Sequence, residues 1–135
     1  AGLSLGFRIL GRETRVSGIA PILWDEDRKV DIARIANATA KLLQCDLELS
    51  PSDILSSDEY IGERYGVLTQ EGRDALKLVA ETEGIFLDPV YTSKAMAGMI
   101  DQIRKGIIRK NETVVFIHTG GLPALFAYAE DLMLS

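Results

Sequence analysis

The sequence predicts an α/β protein, a three-layer α/β/α sandwich built around a mostly parallel sheet. Apolar runs of strand length alternate with segments of helical periodicity, in the order helix, strand, helix, strand, helix, strand, helix. Such alternation is typical of parallel sheets covered by helices on both faces, in which right-handed crossovers connect successive strands. The last predicted strand, from Thr113 to His118, is apolar on both faces, as in a buried parallel strand. The length of 135 residues suits a single domain over residues 1–135.

The first third of the chain contains two predicted helices and one predicted strand. Helical spacing of apolar residues over residues 1–10 predicts a helix that ends at Gly11. Residues 16–23 form an apolar run that predicts a strand. A broad apolar face over residues 27–44 predicts the second helix, and Asp25 is the expected cap at its N-terminus.

The middle of the chain is less regular. The run from Leu47 to Leu55 is ambiguous and could be a short strand that Pro51 interrupts. Residues 56–68 are charged and contain several glycines, which predicts a loop. Thr69 is a good N-cap for the next helix, whose apolar stripe ends at Gly84.

The last third repeats the strand-to-helix pattern twice. Residues 85–87 predict a short strand or an extended entry, and Thr92 or Ser93 is expected to cap a helix that Gly106 ends. After the strand at Thr113 to His118, two glycines at 120–121 predict a tight turn into the last helix.

Composition excludes several classes of function. The net charge is −5 with both signs interspersed, so we expect no nucleic-acid partner and no anionic membrane partner. No apolar run is long enough to span a bilayer. Cys45 is the only cysteine, which excludes an internal disulfide and favours a cytoplasmic location. His118 is the only histidine, so we expect no metal site built from histidine and cysteine.

Two apolar runs end in polar residues just before a helix, and this is where the chemistry is expected. Open α/β sheets bind ligands at the carboxyl ends of their strands. Tyr91 could act there as an acid, a base or a nucleophile, or it could simply be packed with its hydroxyl bonded to backbone. Thr119, Gly120 and Gly121 could bind an anion through free N–H groups, or could form only a tight turn.

Two long motifs resemble one known family. Residues 83–100, EGIFLDPVYTSKAMAGMI, and residues 116–128, FIHTGGLPALFAY, are similar to the C-terminal part of D-cysteine desulfhydrases and 1-aminocyclopropane-1-carboxylate deaminases. These are pyridoxal-phosphate enzymes of the tryptophan-synthase β-like fold, called fold type II. The resemblance runs from Ala1 to nearly Ser135, and it implies pyridoxal 5'-phosphate as cofactor.

The resemblance implies roles for five residues. Tyr91 and Tyr65 match two tyrosines that position the substrate and handle protons, and their separation of 26 positions is preserved. Thr119, with Gly120 beside it, matches the residue that hydrogen-bonds the pyridine nitrogen of the cofactor. Thr92 matches the position where deaminases carry a carboxylate, and it would fill that space.

The same positions separate the two branches of the family. Deaminases resemble Asp-Pro-Val-Tyr-Glu and His-Leu-Gly-Gly, whereas desulfhydrases have threonine at both variable positions. Thr92 and Thr119 therefore favour a desulfhydrase that converts a small D-amino acid, D-cysteine, to pyruvate, hydrogen sulfide and ammonia by β-elimination. Ser93 departs from the family pattern, in which glycine is usual.

The resemblance also implies that functional parts lie outside this chain. The Schiff-base lysine and the phosphate loop of the family precede the segment that matches Ala1, and Lys94 does not match that lysine. We therefore expect this chain to be a C-terminal portion that is inactive alone. We also expect it to expose sheet surface, and to form a homodimer or pair with the missing N-terminal part.

Two alternatives stay open. One is 1-aminocyclopropane-1-carboxylate deaminase. The other is a non-catalytic α/β fragment that binds a small anion at Gly120 and Gly121.

Overall fold

A computed structural model describes residues 1–133 of the chain. Contacts divide the chain into two compact units: Ala1–Gly18 with Trp24–Ser57, and Ile19–Leu23 with the chain from Asp58 onward. The interpretation of residues 1–135 as one domain stays a prediction. The helices are α1 Gly2–Ile9, α2 Arg28–Leu42, α3 Gln70–Glu83, α4 Thr92–Arg104, α5 Ala124–Ala127 and α6 Ala129–Met133, and the strands are β1 Ser17–Ile19 and β2 Leu55–Ser57.

The first unit is built on α1 and α2. Small residues on one face of α2 allow close packing, and the core consists of Leu5, Ala33, Ala36, Ala40, Leu49 and Ile54. The helix predicted over residues 1–10 is confirmed. The cap of α2 was wrongly assigned to Asp25, since Asp27 accepts the hydrogen bond from the Lys29 amide at 2.9 Å. Asp27 lies directly before the first helical residue, where its carboxylate reaches the free N–H groups.

The ambiguous run from Leu47 to Leu55 does not form one strand. Asn37 holds its first part by bonding both the amide (2.8 Å) and the carbonyl (2.9 Å) of Leu49. A 3-10 turn then spans Pro51–Asp53. Pro51 interrupts the strand, because proline has no N–H to donate to a ladder. β2 follows this turn and pairs with β1 in a two-stranded sheet.

The second unit is built on α3 and α4. Thr69 caps α3 by accepting from the Gly72 amide at 3.0 Å, and Gly84 ends the helix in the left-handed conformation, with φ of 66°. Both features confirm the prediction. The core between the two helices contains Ala75, Leu76, Val79, Leu87, Met96 and Ala97.

Two predicted strands are not paired within residues 1–133. Residues 85–87 and 113–118 belong to no helix and no ladder in this part of the chain, and Val115 is 80% exposed. The prediction that the segment from Thr113 to His118 is buried was therefore wrong for these residues. Apolar, β-branched composition favours extended backbone, but a ladder also needs a neighbouring strand to supply the hydrogen bonds. The predictions for α2, α3 and α4 agree with the structure within about two residues at the ends. The prediction of one last helix was wrong, since α5 ends at Ala127 and α6 begins at Ala129.

Among residues 1–133, no helix combines the length and apolar character that a bilayer span requires. The cytoplasmic location stays a prediction.

Gly98 on α4 provides a test of packing in the second unit. A Cβ at Gly98 would lie 2.9 Å from Ile19 Cδ1 and 3.0 Å from the stiff ring of Tyr60. We expect Gly98→Ala to lower the free energy of unfolding by about 1 kcal/mol, since overpacking costs ~1–3 kcal/mol and the helical gain of alanine returns ~1 kcal/mol. Denaturant unfolding followed by circular dichroism measures the change.

The matched control is Gly6→Ala on α1, where a Cβ meets no atom within 4 Å. We expect that variant to be more stable by about 0.5–1 kcal/mol, because only the backbone term changes. If both variants gained stability, the close approach of α4 to Tyr60 would be contradicted.

Candidate active site

The carboxylate of Asp88 shapes the turn that leads into α4. Pro89 forces Asp88 to be extended, which directs its side chain back over the amides that follow. Oδ2 accepts from the amides of Val90 and Tyr91, both at 2.8 Å, and Oδ1 accepts from the Thr92 amide at 2.7 Å. The prediction that Thr92 or Ser93 caps α4 was therefore wrong. The Asp88 carboxylate instead binds two amides before the helix and the amide of Thr92, the first residue of α4.

The hydroxyl of Thr92 completes this arrangement. It accepts from the Asp88 amide at 2.7 Å and donates to Asp88 Oδ1 at 2.6 Å. Thr92 is buried, and its hydroxyl proton is donated to the Asp88 carboxylate. Its assignment as a cofactor contact stays a prediction, while its contact with Asp88 gives it a supporting position beneath the turn.

Asp88 is ionised despite being fully buried, with 0% exposure. Burial is the largest influence and opposes ionisation, but the bonds from the Thr92 hydroxyl and from three amides together hold the pKa of Asp88 below its usual value. Hydrogen bonds to the charged form have this effect on a carboxylate. The turn therefore carries a fixed negative charge beneath Tyr91.

Tyr65 and Tyr91 meet at the top of this turn. Their hydroxyls are hydrogen-bonded to each other, and their ring centroids lie 6.0 Å apart with the planes tilted by 58°. Tyr65 is 46% exposed and Tyr91 is 43% exposed, so the pair faces solvent. Two residues predicted from a family resemblance to act together are thus placed together by the fold.

The hydrogen bond changes the acidity of Tyr91. The Tyr65 hydroxyl is the main cause of a raised pKa of Tyr91, followed by burial and by the negative charge of Asp88. In such a pair one hydroxyl donates to the other, and the accepting hydroxyl keeps its own proton for a third group. The pair can therefore hold a proton and offer it to a molecule bound above it.

The turn at 119–121 lies directly against Asp88. Gly120 and Gly121 have φ of 92° and 91°, and a Cβ at Gly121 would lie 2.7 Å from Asp88 Cγ. A Cβ at Gly120 would meet no atom within 4 Å. Thr119 is exposed, and its hydroxyl has no hydrogen-bond partner in the described part of the chain. A free hydroxyl beside an open glycine leaves room for the edge of a planar ring, which fits the role implied for Thr119 and Gly120.

His118 holds this turn to the segment at 85–87. Its Nδ1 accepts from the Gly120 amide at 3.1 Å, so Nε2 carries the proton and donates to the Phe86 carbonyl at 2.9 Å. The two segments that carry the predicted site are therefore joined side by side. Within residues 1–133, no group of three histidine, cysteine or carboxylate side chains could hold a metal ion.

Sequence reasoning missed four residues that shape the site: Asp88, Lys94, His118 and Tyr128. Lys94 Nζ donates to the Ile61 carbonyl at 2.6 Å, and burial lowers the pKa of Lys94. The Tyr128 hydroxyl donates to the Gly66 carbonyl. Asp-Pro before a helix was a usable signal for Asp88. The bonds from Lys94 to Ile61, from Tyr128 to Gly66 and from His118 to Phe86 join residues far apart in the sequence and left no local signal.

Comparison with known proteins identifies relatives over nearly the whole chain. The family model described as pyridoxal-phosphate dependent enzyme matches residues 1–120. The 1-aminocyclopropane-1-carboxylate deaminases of Methylobacterium nodulans and Rhizobium rhizogenes are 41% and 40% identical over 95% and 96% of this chain. That of Burkholderia vietnamiensis is 39% identical over 96% of it. The chain spans 38% of the length of each of these relatives.

A solved structure described as an ACC deaminase homologue superposes with a TM-score of 0.84 at 37% identity. The match covers 98% of this chain and 39% of that one. Together with the family model, it confirms the predicted fold class of a fold type II pyridoxal-phosphate enzyme.

The Asp88 network can be tested by substitution. Asp88→Asn keeps the size of the side chain but turns an amide NH2 toward backbone donors. We expect the free energy of unfolding to fall by about 2–4 kcal/mol, since hydrogen bonds to a charged group contribute ~1.5–3 kcal/mol and a buried donor is left unpaired. Denaturant unfolding at neutral pH measures the loss.

The pH dependence of the free energy of unfolding tests whether Asp88 is ionised in the folded protein. Because the pKa of Asp88 is lowered on folding, its stabilisation is present above the unfolded value of ~3.9 and is lost as pH falls through the lower folded value. The difference between the protein and Asp88→Asn should therefore narrow on acidification. Thr82→Val, which removes an exposed hydroxyl bonded to the Leu78 carbonyl on α3, should change stability by less than about 0.5 kcal/mol. A gap that widened in acid would contradict an ionised Asp88.

Proposed function

Because this chain belongs to the family of pyridoxal-phosphate-dependent enzymes that includes 1-aminocyclopropane-1-carboxylate deaminases and D-cysteine desulfhydrases, we propose that it forms part of an enzyme that deaminates a small amino acid. The observation that carries the proposal is the Tyr65–Tyr91 pair, whose Tyr91 lies on the same Asp88 turn that Gly121 packs against. The tyrosine pair would handle protons, and Thr119, two residues before Gly121, would contact the cofactor.

The residues of this chain would hold one edge of the cofactor. Pyridoxal phosphate, when bound, supplies an electron sink for negative charge at the α-carbon of the substrate. The Thr119 hydroxyl would hydrogen-bond the pyridine nitrogen, and the open side of Gly120 would admit the ring edge. A neutral hydroxyl would leave the ring nitrogen less positive than a carboxylate would, so the sink is weaker.

The tyrosine pair would act on the substrate. Tyr91 keeps its proton at neutral pH, because the Tyr65 hydroxyl, burial and the charge of Asp88 all raise its pKa. Its phenol would donate a hydrogen bond or a proton to a substrate atom, with Tyr65 as the second member of the relay. Asp88 fixes the Tyr91 backbone, so the phenol is oriented before the substrate binds.

Two substrates have separate support. The similarity of about 40% to three proteins named for 1-aminocyclopropane-1-carboxylate favours that compound, and we propose it as the first candidate. Thr92 and Thr119 favour D-cysteine as the second, because both positions are neutral and breaking a β carbon–sulfur bond needs less electron withdrawal than opening a cyclopropane ring. The desulfhydrase predicted from the sequence thus stays a candidate.

Two segments without a ladder also support a proposal about partners. Residues 85–87 and 113–118 are joined by the His118–Phe86 hydrogen bond, include exposed apolar residues such as Phe86 and Val115, and have no ladder within residues 1–133. We propose that further strands, from the remaining length that the relatives possess or from a second subunit, pair with these segments. Homodimer formation and pairing with an N-terminal part are therefore both proposals.

The role of Tyr91 can be tested in the complete polypeptide loaded with pyridoxal phosphate. We expect Tyr91→Phe to lower kcat for ammonia release by about 10²–10⁴-fold, the usual contribution of a general acid or base. Thr82→Val should leave kcat unchanged. A Tyr91→Phe variant with full activity on both candidate substrates would overturn the assignment.

Substrate preference tests the two threonines. We expect Thr92→Glu with Thr119→Leu, in the complete polypeptide, to shift the ratio of kcat/KM values toward 1-aminocyclopropane-1-carboxylate and away from D-cysteine. Ammonia and sulfide release are measured for both proteins. A D-cysteine preference that survives the double change would show that these positions do not set specificity.

A further inference from the structure

Tyr65 lies on a loop, residues 58–69, that is tied down on both sides of it. We call this segment the tyrosine loop. On one side, the Ile61 carbonyl accepts a hydrogen bond from Lys94 Nζ at 2.6 Å. On the other, the carbonyl of Gly66 accepts from the Tyr128 hydroxyl. The two donors come from the first turn of α4 and from the junction of α5 and α6, so they tie the loop to two separate elements.

The position of Lys94 is energetically unfavourable in itself. The side chain is 1% exposed, burial lowers its pKa, and no carboxylate lies within salt-bridge distance of Nζ among residues 1–133. A buried ammonium bonded to a neutral carbonyl is less favourable than an apolar side chain of similar length. What the bond does provide is a fixed position for Ile61, which is itself buried.

Tyr128 holds Gly66, the residue that follows Tyr65 in the sequence. It is half-buried, and its hydroxyl reaches Gly66, which has φ of 80°. The Gly66 carbonyl belongs to the peptide bond between Gly66 and Val67, so its direction helps to set the path of the loop directly after Tyr65. The hydroxyl of Tyr128 is also close enough to contribute to the raised pKa of Tyr91.

The loop between the two ties has little freedom of its own. Gly62 has φ of 77°, and a Cβ there would overlap Thr69 Cγ2, so the loop folds tightly onto its own end. Tyr65, by contrast, is half-exposed and is not held by burial. Its hydroxyl therefore reaches Tyr91 only as long as the backbone at Ile61 and Gly66 stays in place.

We propose that Lys94 and Tyr128 are positioning residues, which hold the tyrosine loop at Ile61 and Gly66 so that the Tyr65 hydroxyl stays on the Tyr91 hydroxyl. The importance of this for catalysis rests on the proposed function, but the geometry does not. Neither residue needs to touch substrate or cofactor for this role.

The test uses the complete polypeptide and two substitutions that preserve side-chain size, Tyr128→Phe and Lys94→Met. Hydrogen exchange by mass spectrometry reports on the amides of residues 61–67. We expect their exchange to rise about fivefold in each variant, which corresponds to the loss of one hydrogen bond of ordinary net strength. Thr82→Val removes a hydroxyl from α3 and should leave exchange in the loop unchanged.

A second measurement separates positioning from general loosening. The ultraviolet titration of tyrosinate, taken as the difference between each protein and its Tyr91→Phe counterpart, reports the pKa of Tyr91. Tyr65→Phe should lower that pKa, because the Tyr65 hydrogen bond is its main cause. Lys94→Met should lower it too and should add little in the Tyr65→Phe background, since it acts through Tyr65. Tyr128→Phe should also lower it, but Tyr128 acts partly on Tyr91 directly, so that part should persist in the Tyr65→Phe background.

The outcomes are distinct. Faster exchange in the loop with a non-additive drop in the Tyr91 pKa supports the proposal. Unchanged exchange in the loop, or a pKa shift of Lys94→Met that adds fully to that of Tyr65→Phe, would overturn it. Neither readout requires turnover, so a protein that deaminates no tested amino acid would refute the proposed function and leave this test intact. If Lys94→Met does not fold, Tyr128→Phe alone decides.

Discussion

A single buried carboxylate determines the local structure on which the site depends. Asp88 accepts from three successive amides and from the Thr92 hydroxyl, and this fixes where α4 starts and where the Tyr91 side chain leaves the backbone. Gly121 packs against the same carboxylate with no room for a side chain, so the second turn of the site is set by the first. Because the group is fully buried and still charged, every one of its acceptor positions needs a donor. The donors come from the residues that the site requires.

Around that carboxylate, two contacts join segments that are distant in the sequence. His118 joins the Gly120 amide to the Phe86 carbonyl and can do so only in one tautomer. The Tyr65–Tyr91 bond joins the loop before α3 to the turn before α4. The site is thus assembled by side-chain and main-chain hydrogen bonds more than by apolar packing, which lies beneath it between α3 and α4. Polar assembly of this kind gives defined directions to hydroxyl groups, and proton transfer depends on those directions.

The sequence predicts the helices well and the strands poorly, for a physical reason. Helices such as α3 are specified locally, by Thr69 at one end, Gly84 at the other and an apolar stripe between them. Strand pairing at residues 113–118 depends on a neighbour that periodicity does not reveal. The same distinction holds within the site: Tyr65, Tyr91, Thr119 and Gly120 are carried by recognisable motifs, and the fold places the two tyrosines together. The ties from Lys94 and Tyr128 depend on tertiary geometry alone.

The unpaired segment 113–118 bears on how this polypeptide behaves in concentrated solution. Its five residues from Thr113 to Ile117 are β-branched or aromatic, carry no charge and contain no proline, which is the composition of segments that stack into cross-β fibrils. Arg109, Lys110 and Glu112, directly before it, have the placement of gatekeepers, which oppose such stacking by repulsion and hydration. We therefore expect this short charged stretch to support the colloidal stability of the chain.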